Sequence, residues 1–226
     1  MSNKLFAAFL YGQNIPGCRY LSGQDVEEIL RPLAPGIGFV EIVYRPDSIL
    51  LLCDPSETEQ SIRKALRTHF KCNSVVMDVE SLRRMVKAAQ HALKSIEHSA
   101  DPPYRVKTDD AEWEWCLVLC SEQLPPSISE ERYLGSASTN AVPARILNSR
   151  GLLVRKRRRN SFGTRVMTGA ILIKPWERVL KRNGIVPDCL TSRTLNQVDR
   201  VVRAAGKTDV DGEVGARLVP KHHDAS

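Results

Sequence analysis

The chain lacks the sequence features that most directly identify an enzyme or a metalloprotein. Its six cysteines form no C-x-x-C pair, and neither they nor the five histidines show the spacing of zinc ligands. It also has no G-x-S-x-G, G-x-x-x-x-G-K-[ST] or G-x-G-x-x-G motif, which would indicate a serine nucleophile, a phosphate-binding loop or a dinucleotide site. We therefore expect no metal and no cofactor, and the sequence leaves open whether the protein is an enzyme.

Long hydrophobic runs are also missing. A membrane-spanning helix needs roughly 18 apolar residues, and no run approaches that length. The short apolar run at residues 5–11 leads into a glycine- and proline-containing turn rather than a cleavage site, so a signal peptide is not expected. Cys116 and Cys120 lie inside an apolar run, where thiols behave as small apolar side chains. These features predict reduced cysteines, a cytoplasmic protein and no membrane partner.

Basic charge is concentrated in one segment of the chain. Residues 145–182 contain twelve Lys or Arg residues and one acid, Glu177, and therefore carry a net charge of +11. The whole chain of 226 residues carries +7, so the remaining residues sum to −4. A local charge of this size creates a field that attracts polyanions. The apolar content of 42% is ordinary for a globular protein and is enough for one large or two small domains.

The first hundred residues predict the element order β-α-β-β-α-β-α. Apolar and β-branched runs predict strands at residues 5–11, 39–44, 49–53 and 74–77. Caps and helical spacing predict three helices: one that Ser22 begins, one that Asp54 and Pro55 begin with a buried stripe of Ile62, Leu66 and Phe70, and one that contains Leu82 through Ile96. This is the order of a ferredoxin-like βαββαβ unit with an extra helix, and we expect its sheet to be covered by helices on one face.

The second half repeats this order with almost no residue identity. It predicts strands at residues 113–120, 141–147 and 152–155, and helices at 127–133, around 176–184 and after a cap at Thr191 and Ser192. The fold class is therefore α+β, a tandem duplication of the ferredoxin-like unit. The predicted organisation is a first unit at 1–98, a linker at 99–111, a second unit with the basic loop at 112–205 and a disordered tail at 206–226.

Two short motifs resemble those of the bacterial domain of unknown function 1697 family. The family opens with F-L-R-G-I-N-V-G-G and closes with T-T-R-N-W-N-T-V. This chain matches those motifs at Phe9, Leu10, Gly12, Asn14 and Gly17, and then at Thr191, Arg193, Asn196 and Val198. It departs from the family at Tyr11, at Asp78 and in the turn Pro46-Asp47-Ser48. The resemblance covers roughly residues 4 to 205 and implies the fold just described, but no activity, because none is established for the family.

The leading functional hypothesis is a module that binds nucleic acid or another polyanion. Clustered cations on an exposed loop are sufficient for phosphate contact. An aromatic ring beside them can stack on a base. The candidate residues are Arg155, Lys156, Arg157, Arg158, Arg159 and Phe162. A solvated basic loop is the alternative interpretation of the same run.

A second hypothesis, from a different class, is a small enzyme or metabolite-binding protein with an anionic ligand between the two halves. Asn14 lies in a glycine-flanked loop, and Arg193 and Asn196 are three residues apart at a predicted helix start, where an anion could bind. The structural alternative is that Asn14 supports its own turn and that Arg193 forms an ion pair between the halves. A purely structural interaction protein is the third possibility, and the oligomeric state stays open.

Overall fold

The backbone forms two four-stranded antiparallel sheets and long helices that pack against them. The computed structural model describes residues 2–10, 24, 28, 30, 35–43, 47–71, 73–97, 113–123, 141–147, 150–157, 177–178, 181–182, 184 and 190–210. The α+β class predicted from the sequence is therefore confirmed. The predicted linker, the predicted helix at 127–133 and the loop that holds Asn14 lie outside these residues, as does most of the helix predicted after Ser22.

The first sheet contains strands β1 (Lys4–Leu10), β2 (Ile37–Ile42), β3 (Ser48–Cys53) and β4 (Ser74–Asp78), in the order β2-β3-β1-β4. Strand β1 is apolar along almost its whole length because both of its faces are buried. Its alternate residues contact two different cores, one containing Ala7 and Phe9 and the other containing Phe6, Ala8 and Leu10. The expectation of helices on one face only is therefore wrong for this sheet.

The second sheet contains strands β5 (Trp113–Cys120), β6 (Ala141–Leu147), β7 (Gly151–Arg157) and β8 (Leu190–Thr194), in the order β6-β7-β5-β8. This order is that of the first sheet. The registers agree as well: Leu10 pairs with Ser74 as Cys120 pairs with Leu190, and Phe9 pairs with Ser48 as Leu119 pairs with Gly151.

Both second strands also carry an irregularity at the same place. The register shifts between Phe39 and Glu41 in β2, opposite Leu51 and Leu50. It shifts between Pro143 and Arg145 in β6, opposite Val154 and Leu153, which hold the same positions in β7 that Leu51 and Leu50 hold in β3. A bulge inserts one unpaired residue and bends the strand. The two sheets therefore share strand order, pairing and the position of a backbone defect.

Helix α1 (Glu59–Phe70) covers one face of the first sheet. Thr58 is its N-cap and forms a capping box with Ser61, and Lys71 ends it in the left-handed conformation, with φ of 52°. The prediction that Asp54 begins this helix is wrong, because residues 54–57 form a turn in which the Glu57 N–H donates to the Asp54 carbonyl at 3.0 Å. Its predicted buried stripe of Ile62, Leu66 and Phe70 is confirmed.

Helices α2 (Val79–Glu97) and α3 (Leu195–Val210) pack against each other and join the two halves. Helix α2 follows the first sheet but contacts β6 of the second, and α3 follows the second sheet but contacts β3 of the first. One hydrophobic core holds side chains from both sheets and both helices, among them Phe9, Met85, Leu117, Leu153 and Val201. The edge strands β4 and β8 also contact each other. The halves therefore share one core, and the first half has a second core of its own under α1.

The last helix differs from its prediction at both ends. Thr191 and Ser192 do not cap it, because they lie in strand β8, where they pair with Leu119 and Val118. The cap is Thr194: its hydroxyl accepts a hydrogen bond from the Gln197 N–H at 3.2 Å, and the Gln197 side chain accepts one from the Thr194 N–H at 2.9 Å. Helix α3 then continues through Val210, so its last turns replace the start of the tail predicted from residue 206.

Candidate functional site

Arg193 is buried and connects the two halves. It lies in β8, and its side chain is 10% exposed. One terminal nitrogen, Nη2, donates to the Leu10 carbonyl at 2.8 Å and lies 3.3 Å from the Asp47 carboxylate. The other, Nη1, donates to the Thr191 hydroxyl at 2.7 Å and to the Ser192 carbonyl at 2.8 Å, and the guanidinium stands 5.8 Å from the centre of the Phe9 ring.

This geometry contradicts the predicted placement of Arg193 beside Asn196 at a helix start. Arg193 belongs to a strand and turns toward the first half, whereas Asn196 is exposed in the first turn of α3. The structure therefore does not bring these two residues together. Asn14, the third member of the predicted set, lies outside the described residues. The ion pair with Asp47 is the contact that the structural alternative described.

A second arginine, Arg150, makes the matching connection on the other side. It ends the β6–β7 turn and occupies the register position that Asp47 occupies before β3. Its Nη2 donates to the carbonyls of Val76 and Ser121, each at 3.2 Å, and its Nε donates to the Cys120 carbonyl at 3.3 Å. Its Nη1 lies 2.8 Å from the Glu59 carboxylate of α1. The sequence analysis missed Arg150, because within the sequence it is one cation in a long basic segment.

A cavity of about 570 Å³ lies beside Arg150, at the junction of the two halves. Met77 and Met85 form its apolar floor, and both are buried. The Glu59–Arg150 ion pair forms one wall. The beginning of α2 forms another wall with its polar side chains Asp78, Ser81 and Arg84.

The polar wall of this cavity is held by hydrogen bonds through Ser81. The Ser81 N–H donates to the Asp78 carboxylate at 2.8 Å, so Asp78 caps the start of α2. The Ser81 hydroxyl accepts a hydrogen bond from the Arg84 guanidinium at 2.9 Å. The Asp78 N–H donates to the Glu59 carboxylate at 3.2 Å. One cation and one anion therefore stand near each other at the mouth of the cavity, each bonded to Ser81.

The described part of the basic run lies at the other end of β7. This strand begins at Gly151 beside Arg150 and ends at Arg157, so it extends further than the strand predicted at 152–155. Seven residues at about 3.4 Å each place the two ends of β7 roughly 20 Å apart. Arg155 and Arg157 pair in register with Trp115 and Trp113 of β5. Lys156 pairs with Glu114, and the rest of the run, Arg158 and Arg159, lies with Phe162 outside the described residues.

The buried thiols of Cys53 and Cys120 are free. Burial raises the pKa of the Cys53 thiol to about 12, with added repulsion from Glu57 and Asp54. Burial also raises the pKa of Cys120 to about 11. Thiols with such a pKa stay protonated at neutral pH, and the thiolate is the nucleophilic form. These cysteines therefore act as apolar packing groups.

Within the part of the chain that the structure describes, His, Cys, Asp and Glu side chains form no group of three that could hold a metal ion. None of the described helices is long and apolar enough to cross a membrane. No protein-family model, curated protein or solved structure matches this chain. The resemblance to the domain of unknown function 1697 family stays a prediction that rests on the two motifs at the ends of the folded region.

Proposed function

We propose that this protein binds a polyanion, specifically nucleic acid, through the basic segment at residues 145–182. The observation that supports the proposal most is the local charge, because this segment carries +11 while the rest of the chain carries −4. Protein–nucleic acid affinity is dominated by phosphate contacts from Lys and Arg, which need a concentrated positive surface.

The position of the run along β7 supports the same proposal. Arg150, one of the residues that join the two halves, lies at the Gly151 end of the strand, and the run occupies the opposite end. Trp115 pairs in register with Arg155, but it is half-buried and packs against the shared core, so Phe162 stays the aromatic candidate for base stacking.

We further propose that the chain is a tandem duplication of a ferredoxin-like βαββαβ unit and a divergent bacterial member of the domain of unknown function 1697 family. The shared strand order, the matching registers and the bulge at the same position of β2 and β6 support duplication. We propose the cytoplasm as its location, because the thiols of Cys53 and Cys120 are buried and form no disulfide, as expected in a reducing compartment.

The enzyme hypothesis built on Asn14, Arg193 and Asn196 is less well supported. Arg193 donates hydrogen bonds to three oxygen atoms of its own protein at 2.8 Å or less, and it forms an ion pair with the Asp47 carboxylate at 3.3 Å. Its side chain is only 10% exposed. A guanidinium held in this way stabilises the junction of the two halves and has little capacity for a substrate.

The test of nucleic-acid binding is the salt dependence of affinity. If Arg155, Lys156, Arg157, Arg158 and Arg159 contact phosphates, log affinity against log salt should have a slope of about −4.5 on duplex DNA and about −3.5 on single strands. The measurement is fluorescence anisotropy with labelled oligonucleotides of both kinds over a series of salt concentrations. An affinity that does not change with salt, or no binding at low salt, would refute the proposal.

Two sets of variants localise the effect. Changing Arg157, Arg158 and Arg159 together to Gln should flatten the slope by about 2 to 3 units with little loss of stability. The matched control removes three exposed cations of the first half, Lys64, Arg67 and Lys87, in the same way and should leave the slope unchanged. An equal effect of both triple changes would mean that only net charge matters.

The ring of Phe162 provides the test of stacking. Phe162→Ala should weaken single-stranded binding by about 1–3 kcal/mol and affect duplex binding less. Equal losses on both substrates would contradict base stacking by this residue.

A further inference from the structure

We propose that the cavity beside Arg150 binds a small zwitterion with an apolar side chain, an amino acid or a dipeptide. The inference is independent of the proposed nucleic-acid function, because the charges that would meet the ligand, Asp78 and Arg84, lie outside the basic segment, and Arg150 of that segment is occupied by Glu59 and backbone carbonyls. The volume of the cavity, about 570 Å³, lies within the range of small-molecule pockets, and its lining consists of six polar or charged residues and two methionines.

The charges of the cavity favour a ligand with no net charge. Its lining contains two carboxylates, Glu59 and Asp78, and two guanidinium groups, Arg84 and Arg150. Glu59 and Arg150 form an ion pair at 2.8 Å, and the other hydrogen bonds of Arg150 go to backbone carbonyls. The two charges that stay available are opposite in sign, so a phosphate or another dianion would meet as much repulsion as attraction.

Asp78 and Arg84 are near each other but form no ion pair. Ser81 bonds to both, through its N–H at 2.8 Å from the Asp78 carboxylate and through its hydroxyl at 2.9 Å from the Arg84 guanidinium. Among the described residues, neither of the two belongs to a salt bridge. This spacing suits a ligand whose ammonium group meets Asp78 while its carboxylate meets Arg84, because charge-assisted hydrogen bonds are the strong ones.

The floor accounts for the apolar side chain of the ligand. Met77 and Met85 are buried, and their unbranched, flexible side chains can adapt to different apolar shapes. Gly151 lies against Met85, because a Cβ atom built on it would stand 2.5 Å from the Met85 sulfur. The floor is therefore closed from the side of the second sheet, and because Met77 and Met85 are at most 1% exposed, an apolar group packs against them by rotating their side chains rather than by displacing a polar contact.

The test uses L-phenylalanine and glycyl-L-phenylalanine as probes for the full chain, with binding measured by calorimetry and by melting temperature. At about a hundred times the dissociation constant, a bound probe should raise the melting temperature by roughly 5–10 °C. N-acetyl-L-phenylalanine and L-phenylalanine amide each lack one of the two charges and should bind about tenfold or more weakly. Binding of either zwitterionic probe supports the proposal, and comparing the two distinguishes an amino acid from a dipeptide.

Three variants connect binding to the cavity. Arg84→Gln and Asp78→Asn should each weaken the better probe by roughly ten- to a hundredfold. Asparagine caps a helix as well as aspartate does, so Asp78→Asn is expected to fold, and Arg84→Gln changes an exposed side chain in any case. Arg83→Gln is the matched control, because Arg83 pairs with Glu80 outside the cavity lining and should leave the affinity unchanged.

Three outcomes would overturn the proposal. The first is that neither zwitterion binds. The second is that phenyl phosphate binds while the zwitterions do not, which would make the cavity an anion site. The third is that Arg83→Gln weakens the probe as much as Arg84→Gln does, which would locate binding elsewhere on the surface of α2.

Discussion

Removing the Arg193 side chain should destabilise the protein severely, although the sequence presents it as a candidate ligand residue. Arg193→Ala removes a guanidinium that donates to Leu10, Thr191 and Ser192 and pairs with Asp47 at 3.3 Å. The Asp47 side chain, which is 18% exposed, would then remain as a largely buried carboxylate without this partner. Breaking a buried ion pair in this way costs about 3–5 kcal/mol, a large fraction of the roughly 5–15 kcal/mol that stabilises a typical protein.

The free energy of unfolding can be measured by urea denaturation, followed by tryptophan fluorescence and far-UV circular dichroism. Arg203→Ala is the matched control, because Arg203 also pairs with an acid, Asp199 at 2.7 Å, but its side chain is 75% exposed. Exposed pairs contribute about 0–1 kcal/mol, so the control should unfold near the wild-type midpoint. The double variant with Asp47→Ala should cost less than the sum of the two single changes, because both remove the same contact.

The reasoning fails if Arg193→Ala unfolds within about 1 kcal/mol of the wild type. Such a result would mean that the contacts across the junction contribute no net stability. If the stable variant also lost the binding of an anionic metabolite, Arg193 would have the ligand role that the sequence hypothesis gave it.

Two further predictions concern packing and pH. Gly151→Ala should cost about 1–3 kcal/mol of unfolding free energy, because the new Cβ would stand 2.5 Å from the sulfur of Met85, a residue only 1% exposed. Adding Met85→Val should make the double variant less unstable than the sum of the two single changes predicts. Strict additivity of the two changes would contradict a direct contact. The pKa of Cys53 rises from 9.0 to about 12 on folding, so its contribution to stability is complete below pH 9 and is lost as the pH rises toward 12. At pH 10 the loss is on the order of 1 kcal/mol, so Cys53→Ala should show a smaller fall in unfolding free energy between pH 8 and pH 10 than the wild type, and identical falls would exclude this thiol as the cause.

The sequence predicts those elements whose signal is local. Strands β5 and β6 match their predicted ranges because apolar runs and turn residues lie next to each other in the chain. The buried stripe of α1 follows from the spacing of Ile62, Leu66 and Phe70, which needs no knowledge of the rest of the protein. These predictions require only that a segment is amphipathic or apolar, and that property depends on a few consecutive residues.

Prediction from the sequence fails where the conformation of a segment depends on a partner that is distant in the chain. The segment Thr191-Ser192-Arg193-Thr194 is polar and contains three hydroxyl side chains, so its local pattern is that of a helix cap. It forms strand β8 because β5 offers it a row of backbone groups, from Cys116 to Cys120. Arg193 is buried in this strand because Asp47, 146 residues earlier, neutralises it. Neither partner can be identified from the residues around position 193.

The cavity was not predictable for a related reason, since it depends on a difference between the two halves. Met77 pairs with Ala7 of β1 as Arg193 pairs with Leu117 of β5, so the two hold equivalent places in β4 and β8. In one place Arg193 crosses the junction to the turn before β3, where its Nη2 donates to the Leu10 carbonyl and pairs with the Asp47 carboxylate.

In the other place the side chain is an uncharged Met77, and the connection is made from the opposite direction, by Arg150 of the turn before β7. Met77 has no charged group, and Asp78 and Arg84 at the polar start of α2 line the cavity beside it without an ion pair among the described residues. If the halves are copies of one unit, as we propose, their equivalent junctions have diverged, one closed by an ion pair and the other left open with an apolar floor. Among the residues that the structure describes, the open junction is therefore a place where the proposed ligand would break no ion pair that joins the halves.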